Sequence, residues 1–383
     1  MASPLRILTV VGARPQIIKA AALSRAVLGP FRGRIEQQLL HTGQHYDANM
    51  SDVFFQELGV PAPAVHLGVG AGTHGAQTAR MIDGLERTLI NERPDLVLVY
   101  GDTNSTLAAA LAAVKLGIPL AHVEAGLRSF DKRMPEEVNR VLCDHCSTWL
   151  FCPTTTGVGN LRREGIDGTN ARPTVDLPNV VLSGDVMFDN SMHFARLAQE
   201  RSSVLRDLGL EAGGFLLATI HRDRNTDDPA RLGRLIQALV DLARQSGSPV
   251  VLPLHPRTRK QLGSIANKGL LDLLSGEPRL RVIDPVGFLD MIELERHARL
   301  VLTDSGGVQK EAFFFGRPCI VLRDSTEWVE LLQCGQAVLC DADPERILQE
   351  AERFLAQGSP ALPSVFGDGH AAERICESLL AQA

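Results

Sequence analysis

The chain has 383 residues, 44% of them apolar and 22% charged, with a formal charge of −6. That length exceeds one ordinary hydrophobic core and suits two domains of common size. The acidic balance argues against general nucleic-acid binding, which needs basic surface to displace counterions, but a local group of cations can still hold a small anion.

The N-terminus runs directly into an apolar strand, with no signal-peptide core, and no apolar run approaches the roughly 20 residues that span a bilayer. A cytoplasmic protein with no membrane partner is therefore expected. Seven cysteines are scattered along the chain. Cys143-Asp-His-Cys146, with Cys152 nearby, lacks a second pair and falls on a helix pattern, so buried free thiols are expected rather than a metal site.

In chain order, Leu5–Val11 reads as a strand, followed by a turn and a helix with Pro15 in its first turn, where the helical N–H has no partner anyway. Ile35–His41 reads as a strand and Thr73–Glu92 as a long helix. Asp95–Tyr100 is a strand, Thr103–Lys115 an Ala-rich helix, Leu120–Val123 a strand and Pro135–His145 a helix opened by proline. Trp149–Cys152 and Val180–Ser183 finish this series. A second series follows, with strands at Phe215–Ile220, Val250–Leu254, Leu280–Ile283, Leu300–Thr303 and Cys319–Leu322, and a last helix at His370–Ala381. Short buried strands alternating with helices specify parallel sheets covered on both faces. The class is α/β, with two Rossmann-like doubly wound domains: 1–184, 185–365, and a C-terminal helix over 366–383.

Ligands of open α/β sheets sit outside the carboxyl ends of the strands, so the residues after each strand deserve inspection. After the first strand, Gly12 permits a tight turn, and Arg14 and Lys19 lie at the start of a helix. Cations there oppose the helix dipole, which points to an anion site. After Tyr100 comes Gly101-Asp-Thr-Asn-Ser-Thr106, where Asp102 reads as a helix cap or an acid/base group. His122-Val-Glu-Ala-Gly-Leu-Arg128 places Glu124 at a strand end, with no capping duty as obvious. Glu136 and Glu137 open the next helix, where either suits the dipole. Three carboxylate positions on one sheet edge suggest shared acid and base work.

In the second series His221 follows Ile220, and His255-Pro-Arg-Thr-Arg-Lys260 adds basic charge. Thr303 is followed by Asp304-Ser-Gly-Gly307, a side-chain-poor helix N-terminus whose free N–H groups can face a diphosphate. Glu311 lies about one and a half turns on and suits ribose hydroxyls. The run Gly70-Ala-Gly-Thr-His-Gly75 matches a dinucleotide fingerprint, but no convincing strand precedes it, so a nicotinamide site is not expected.

These segments together resemble the non-hydrolysing UDP-N-acetylglucosamine 2-epimerases. The likeness runs from Gly12-Ala-Arg-Pro through Thr42-Gly-Gln-His45, Gly101-Asp-Thr103, His122 to Arg128, Pro135-Glu-Glu137 with Asn139-Arg140, and Asp304-Ser-Gly-Gly307 with Glu311, to Phe366-Gly-Asp-Gly369. Each motif alone is weak, but their combination and order are specific. The resemblance implies a glycosyltransferase-B-type architecture, two domains facing across a cleft with the final helix crossing back to the first. It implies Asp102, Glu124, Glu136 and His221 as catalytic residues. It implies Arg14, Lys19, Phe288, Ser305, Gly306, Gly307, Glu311 and Arg323 as contacts to UDP. It further implies a homodimer acting on a UDP-linked N-acetyl sugar, with no cofactor and no metal. The implied route is loss of UDP to a 2-acetamidoglycal and re-addition on the other face. A hydrolysing epimerase and a glycosyltransferase of the same architecture are the alternatives.

Two departures stand out. Arg224 in His221-Arg-Asp-Arg-Asn225 replaces an acid of the family pattern, in a stretch that serves an allosteric site in some members. The loop Ser129-Phe-Asp-Lys-Arg-Met-Pro135, with Trp328, resembles the branch that epimerises UDP-2,3-diacetamido-2,3-dideoxyglucuronate. Lys132 or Arg133 is then a candidate to meet the substrate carboxylate.

Overall fold

Short apolar strands build two separate parallel sheets in the computed structural model, which describes residues 3–44, 55, 58–263, 269–357 and 363–381. The chain divides into two compact units, Met1–Asn190 with Ser364–Ala383, and Ser191–Pro363.

In the first unit the strands are β1 (Leu5–Val11), β2 (Ile35–His41), β3 (Val65–His66), β4 (Leu96–Tyr100), β5 (Leu120–Val123), β6 (Trp149–Cys152) and β7 (Asn179–Leu182). Their order is β3-β2-β1-β4-β5-β6-β7, all parallel. All five side chains of β4 are buried, as a strand covered on both faces requires. Burying each Leu or Val there is worth roughly 1.5–3 kcal/mol. The helices are α1 (Arg14–Leu28), α2 (His74–Glu92), α3 (Asn104–Lys115), α4 (Pro135–His145), α5 (Thr155–Arg163) and α6 (Val186–Arg201), which carries the chain into the second unit. In α2, Met81, Leu85 and Leu89 recur every four residues and form its buried stripe. α3 packs against both α2 and α4, and its buried Ala108, Ala109, Ala112 and Ala113 keep these contacts close.

The second unit repeats the plan. β8 (Leu216–Thr219), β9 (Val250–Pro253), β10 (Leu280–Ile283), β11 (Leu300–Thr303), β12 (Cys319–Val321) and β13 (Ala337–Leu339) lie in the order β10-β9-β8-β11-β12-β13. Its helices are α7 (Val204–Asp207), α8 (Asp223–Thr226), α9 (Pro229–Ser246), α10 (Pro256–Leu262), α11 (Leu270–Ser275), α12 (Phe288–His297), α13 (Gly306–Phe314), α14 (Val329–Gln333) and α15 (Pro344–Gln357). Leu232, Leu235, Ile236 and Leu239 of α9 share one core with Ile347, Ala351 and Phe354 of α15. Among the described residues no helix is long and apolar enough to cross a membrane.

Both sheets run outward in two directions from a first strand, β1 or β8. The order reverses between β1 and β4 in one sheet and between β8 and β11 in the other. Such switch points open a crevice at the carboxyl ends of the strands. β3 and β13 were not foreseen, because two or three residues are too short a run to stand out; they form by pairing to β2 and β12. β3 also places a short strand ahead of Gly70-Ala-Gly-Thr-His-Gly75, contrary to expectation.

The C-terminal helix Ala371–Leu380 packs on α1 within the first unit. The N–H groups of Ala371 and Ala372 donate to the Asp189 carboxylate at 3.0 and 2.8 Å. Burial pushes the Asp189 carboxyl up to about 6, although these two N–H groups oppose the rise. Stability contributed by a raised carboxyl is full below its ordinary value of 3.8 and is lost as pH rises through about 6. Asp189→Asn keeps an acceptor oxygen and removes the ionisation. Its melting temperature is expected to fall less than that of the unaltered protein between about pH 4.5 and about pH 7.5. Parallel melting curves across that window would show that Asp189 does not titrate there.

Candidate active site

The turn after β1 is fixed by close approach. A Cβ on Gly12 would lie 2.0 Å from Ser105 Oγ and 2.2 Å from Thr42 Oγ1, so no other residue fits. The reason differs from the expected tight turn: neighbouring hydroxyls fill the space. The Gly12 N–H donates to Gln16 Oε1 at 2.8 Å, and Gln16 Nε2 donates to the Tyr100 carbonyl at 2.9 Å, tying the β1 end to the β4 end. Gln44 Oε1 accepts from Ser105 Oγ at 2.7 Å, while His45 of the same motif lies outside the described residues. Arg14 is exposed as the first residue of α1. Lys19 sits deeper, and its ammonium meets the Glu124 carboxylate.

Asp102 does not cap α3. Thr103 holds that position, its side chain accepting from the Thr106 N–H. Asp102 instead accepts from Arg140 Nε at 3.0 Å and Nη2 at 2.6 Å. Its carbonyl accepts from Asn139 Nδ2 at 2.9 Å. Glu124 is buried and has a φ of 75°. Left-handed backbone in a residue with a side chain costs about 1–3 kcal/mol and marks sites where geometry is imposed. Tyr100 and Val123 are paired in adjacent strands, so Asp102 and Glu124 follow neighbouring strand ends.

The two glutamates opening α4 divide. Glu137 is buried and accepts from the Ser129 and Phe130 N–H groups at 2.8 and 3.0 Å and from Arg140 Nη1 at 2.7 Å. Burial would raise its carboxyl, but these donors outweigh burial and hold it below the usual range. Glu136 is exposed on the first turn of the helix. Arg133 is held by Asp131 through two bonds of 2.8 Å, whereas Lys132 makes no ion pair among the described residues.

In the second unit the hub is Asp304, a residue the sequence reading quoted without a role. It is fully buried after β11 and accepts from the His221 N–H at 3.1 Å, the Arg222 N–H at 3.0 Å and Asn225 Nδ2 at 3.1 Å. His221 Nδ1 lies 3.3 Å from Asp304 Oδ1, and the His221 and His255 rings are 5.3 Å apart. Ser305 caps α13 by accepting from the Val308 N–H. A Cβ on Gly306 would lie 2.9 Å from Glu327 Oε1, and one on Gly307 would lie 3.9 Å from Glu311 Oε2. The glycines add no side chains of their own to the first turn of α13, and the Glu327 carboxylate and Trp328 pack against Gly306. Arg323 pairs with Glu327 at 3.0 Å, and its buried Nη1 has no hydrogen-bond partner among the described residues. Phe288 opens α12 and stacks edge-on against Phe194 at 5.1 Å.

Some expected cations are already engaged. Arg257 pairs with Asp223 and Asp227 at 2.6 and 2.7 Å, and Arg259 with Asp284 at 2.5 Å, so both arginines of the basic run after β9 are paired locally. Arg224 pairs with Asp324 at 2.5 Å. Cys143 and Cys152 are buried in two separate apolar clusters. Each unit therefore presents polar groups at the carboxyl ends of its own strands: carboxylates with paired cations in the first, and a glycine-opened helix N-terminus, a histidine and a partly unpaired arginine in the second.

Comparison with known proteins gives this arrangement a context. The family model described as UDP-N-acetylglucosamine 2-epimerase matches residues 31–380. The UDP-2,3-diacetamido-2,3-dideoxy-D-glucuronate 2-epimerase of Pseudomonas aeruginosa is 48% identical over 98% of this chain and 99% of its own. The crystal structure of Methanocaldococcus jannaschii UDP-GlcNAc 2-epimerase in complex with UDP-GlcNAc and UDP superimposes with a TM-score of 0.83 at 38% identity, covering 98% of this chain and 99% of that one. The Neisseria meningitidis UDP-GlcNAc 2-epimerase bound to UDP-GlcNAc gives 0.81 at 29% identity, covering 98% and 99%. The chain belongs to the UDP-N-acetylglucosamine 2-epimerase family.

Proposed function

We propose that this protein interconverts the C2 epimers of a UDP-linked 2-acetamido sugar without hydrolysing it. The observation that carries the reading is the pair of strand-end carboxylates, Asp102 against Arg140 and Glu124 against Lys19, in a chain of this family. The C2 proton of such a sugar is not beside a carbonyl, so direct removal is prohibitive. If the C1–O bond to UDP breaks first, C1 gains oxocarbenium character and the C2 proton becomes acidic. A carboxylate then takes it, leaving UDP and a 2-acetamidoglycal. Protonation of C2 from the other face and re-addition of UDP at C1 give the epimer.

The leaving diphosphate needs positive charge and N–H donors that strengthen as negative charge develops. The Ser305-Gly306-Gly307 turn, Arg323 with its unpaired nitrogen, and Arg14 are assigned to that task, with Phe288 and Glu311 at the nucleoside. His221, its Nδ1 toward Asp304, is assigned to the departing phosphate oxygen through Nε2. Transfer on two faces needs two acid/base groups, drawn from Asp102, Glu124 and Glu136. Family resemblance supports a homodimer as the working form, and a nucleotide-sugar substrate suits the cytoplasm.

The relative named for the diacetamido uronate is 48% identical, against 38% for the M. jannaschii UDP-N-acetylglucosamine 2-epimerase. We therefore take the uronate as the preferred sugar and Lys132, whose ammonium is not engaged by a carboxylate of its own loop, as the contact to its C6 carboxylate. NMR of both UDP-sugars with enzyme in heavy water tests reaction and substrate together. The C2-inverted product should carry deuterium at C2 with the UDP linkage intact. Product with only hydrogen at C2 would refute the route, and release of the free sugar would favour a hydrolysing enzyme. Lys132→Ala should lower kcat/KM for the uronate about ten-fold more than for UDP-N-acetylglucosamine, the weight of one charge-assisted hydrogen bond. Equal effects on both sugars would remove Lys132 from the carboxylate.

Asp102→Asn and Glu136→Gln each remove a proton carrier and should lower kcat by about 10²–10⁴ while UDP still binds. Near-normal rates in either variant, measured by coupled assay, would take that residue off the catalytic list.

A further inference from the structure

Two proton-carrying side chains working on opposite faces of a sugar ring need a fixed separation, and one buried cluster connects the turns that bear them. His122 lies in β5 and is fully buried. Its Nε2 is 2.8 Å from the carbonyl oxygen of Gly101, and its Nδ1 is 2.7 Å from Asp144 Oδ1. A carbonyl oxygen and an ionised carboxylate only accept, so both ring nitrogens must donate and the ring is an imidazolium. Burial opposes that charge, but the neighbouring Cys143 and Asp144 outweigh it and lift the imidazole well above its usual range. Burial likewise opposes ionisation of Asp144, and His122 and Arg128 hold its carboxyl below the usual range. Asp144 Oδ2 accepts from the Gly126 N–H at 3.1 Å and pairs with Arg128 Nη1 at 2.7 Å.

Gly101 immediately precedes Asp102, and Gly126 follows Glu124 by two residues. One imidazolium–carboxylate pair thus holds the backbone on the far side of Asp102 and on the far side of Glu124. Desolvating such a cluster is expensive, and packing alone would be served as well by apolar groups of the same volume. We infer that His122 and Asp144 are positioning residues, which set the separation of Asp102 and Glu124 by fixing the Gly101 carbonyl and the Gly126 amide to each other. They act through these turns, without touching the sugar. The inference rests on the epimerase reading for its kinetic consequence, and on geometry alone for the linkage.

The test compares Asp144→Asn, His122→Gln and His122→Leu with the unaltered protein. Asp144→Asn and His122→Leu should lower kcat about 10- to 100-fold, the usual consequence of loosening a catalytic group's support, with KM and UDP affinity within about three-fold. His122→Gln retains a donor for the Gly101 carbonyl and should lose less than His122→Leu. Unchanged kcat in folded His122→Gln and Asp144→Asn proteins overturns the inference. So does loss of UDP binding in step with kcat, or loss of a cooperative melt in all three variants, since the cluster would then be holding the fold. An unaltered protein that exchanges no C2 hydrogen defeats the epimerase reading separately. Nitrogen NMR of the histidine rings then decides the linkage: His122 protonated on both nitrogens at about pH 8 supports it, and a singly protonated ring overturns it.

Discussion

Four carboxylates in or near the core of the first unit are each accompanied by a cation. Asp102 and Glu137 share Arg140, Glu124 has Lys19, and Asp144 has His122 and Arg128. An unpaired buried charge costs several kcal/mol, so each partner is a condition for the other's presence. This explains why cations are found where the helix dipole alone would disfavour them. Lys19, one turn into α1, answers to Glu124 across the sheet edge rather than to its own helix. The same constraint acts at the strand ends, where two nitrogens of one guanidinium can hold a single carboxylate oxygen. Asp102 is gripped in that way.

The topology brings these charges together without long loops. β1 and β4 are neighbours in space, although more than eighty residues separate their ends, and the same holds for β8 and β11 in the second unit. Each switch point joins the turn after a first strand to the turn after a fourth. In the first unit that pairing meets as Gly12 against Ser105; in the second it meets as His221 against Asp304. The backbone N–H groups of His221 and Arg222 are satisfied by Asp304, which leaves the His221 ring itself partly exposed. A fixed main chain beneath a partly exposed side chain suits the phosphate contact proposed for His221.

Strand positions were legible because a parallel strand covered on both faces is a continuous apolar run, and β4 is such a run from Leu96 to Tyr100. β3 and β13 are edge strands of only two and three residues, too short to stand out as a run, which is why they were passed over. Among the site residues, Glu124 was legible from its strand-end position but its left-handed backbone was not, since local sequence does not encode a φ imposed by packing. Asp102 looked like a cap because a helix follows it. Thr103 was equally eligible, and only the arginine on α4 decides between them. Arg140, Asp304 and Asp144 were invisible as partners because each acts across 18 to 83 residues of sequence.

Glu136 and Glu137 show how far adjacent identical side chains can diverge. Helical geometry turns successive residues by about 100°. Glu137 therefore faces the loop and Arg140, where four donors keep it ionised, while Glu136 faces solvent on the dipole-favoured first turn. The buried one fixes the loop that follows Arg128, and with it the approach to Glu136. Each hydrogen bond to the anion lowers its basicity, so the four donors leave Glu137 a weak base. On that ground the exposed glutamate, not its better-connected neighbour, is the one suited to move a proton.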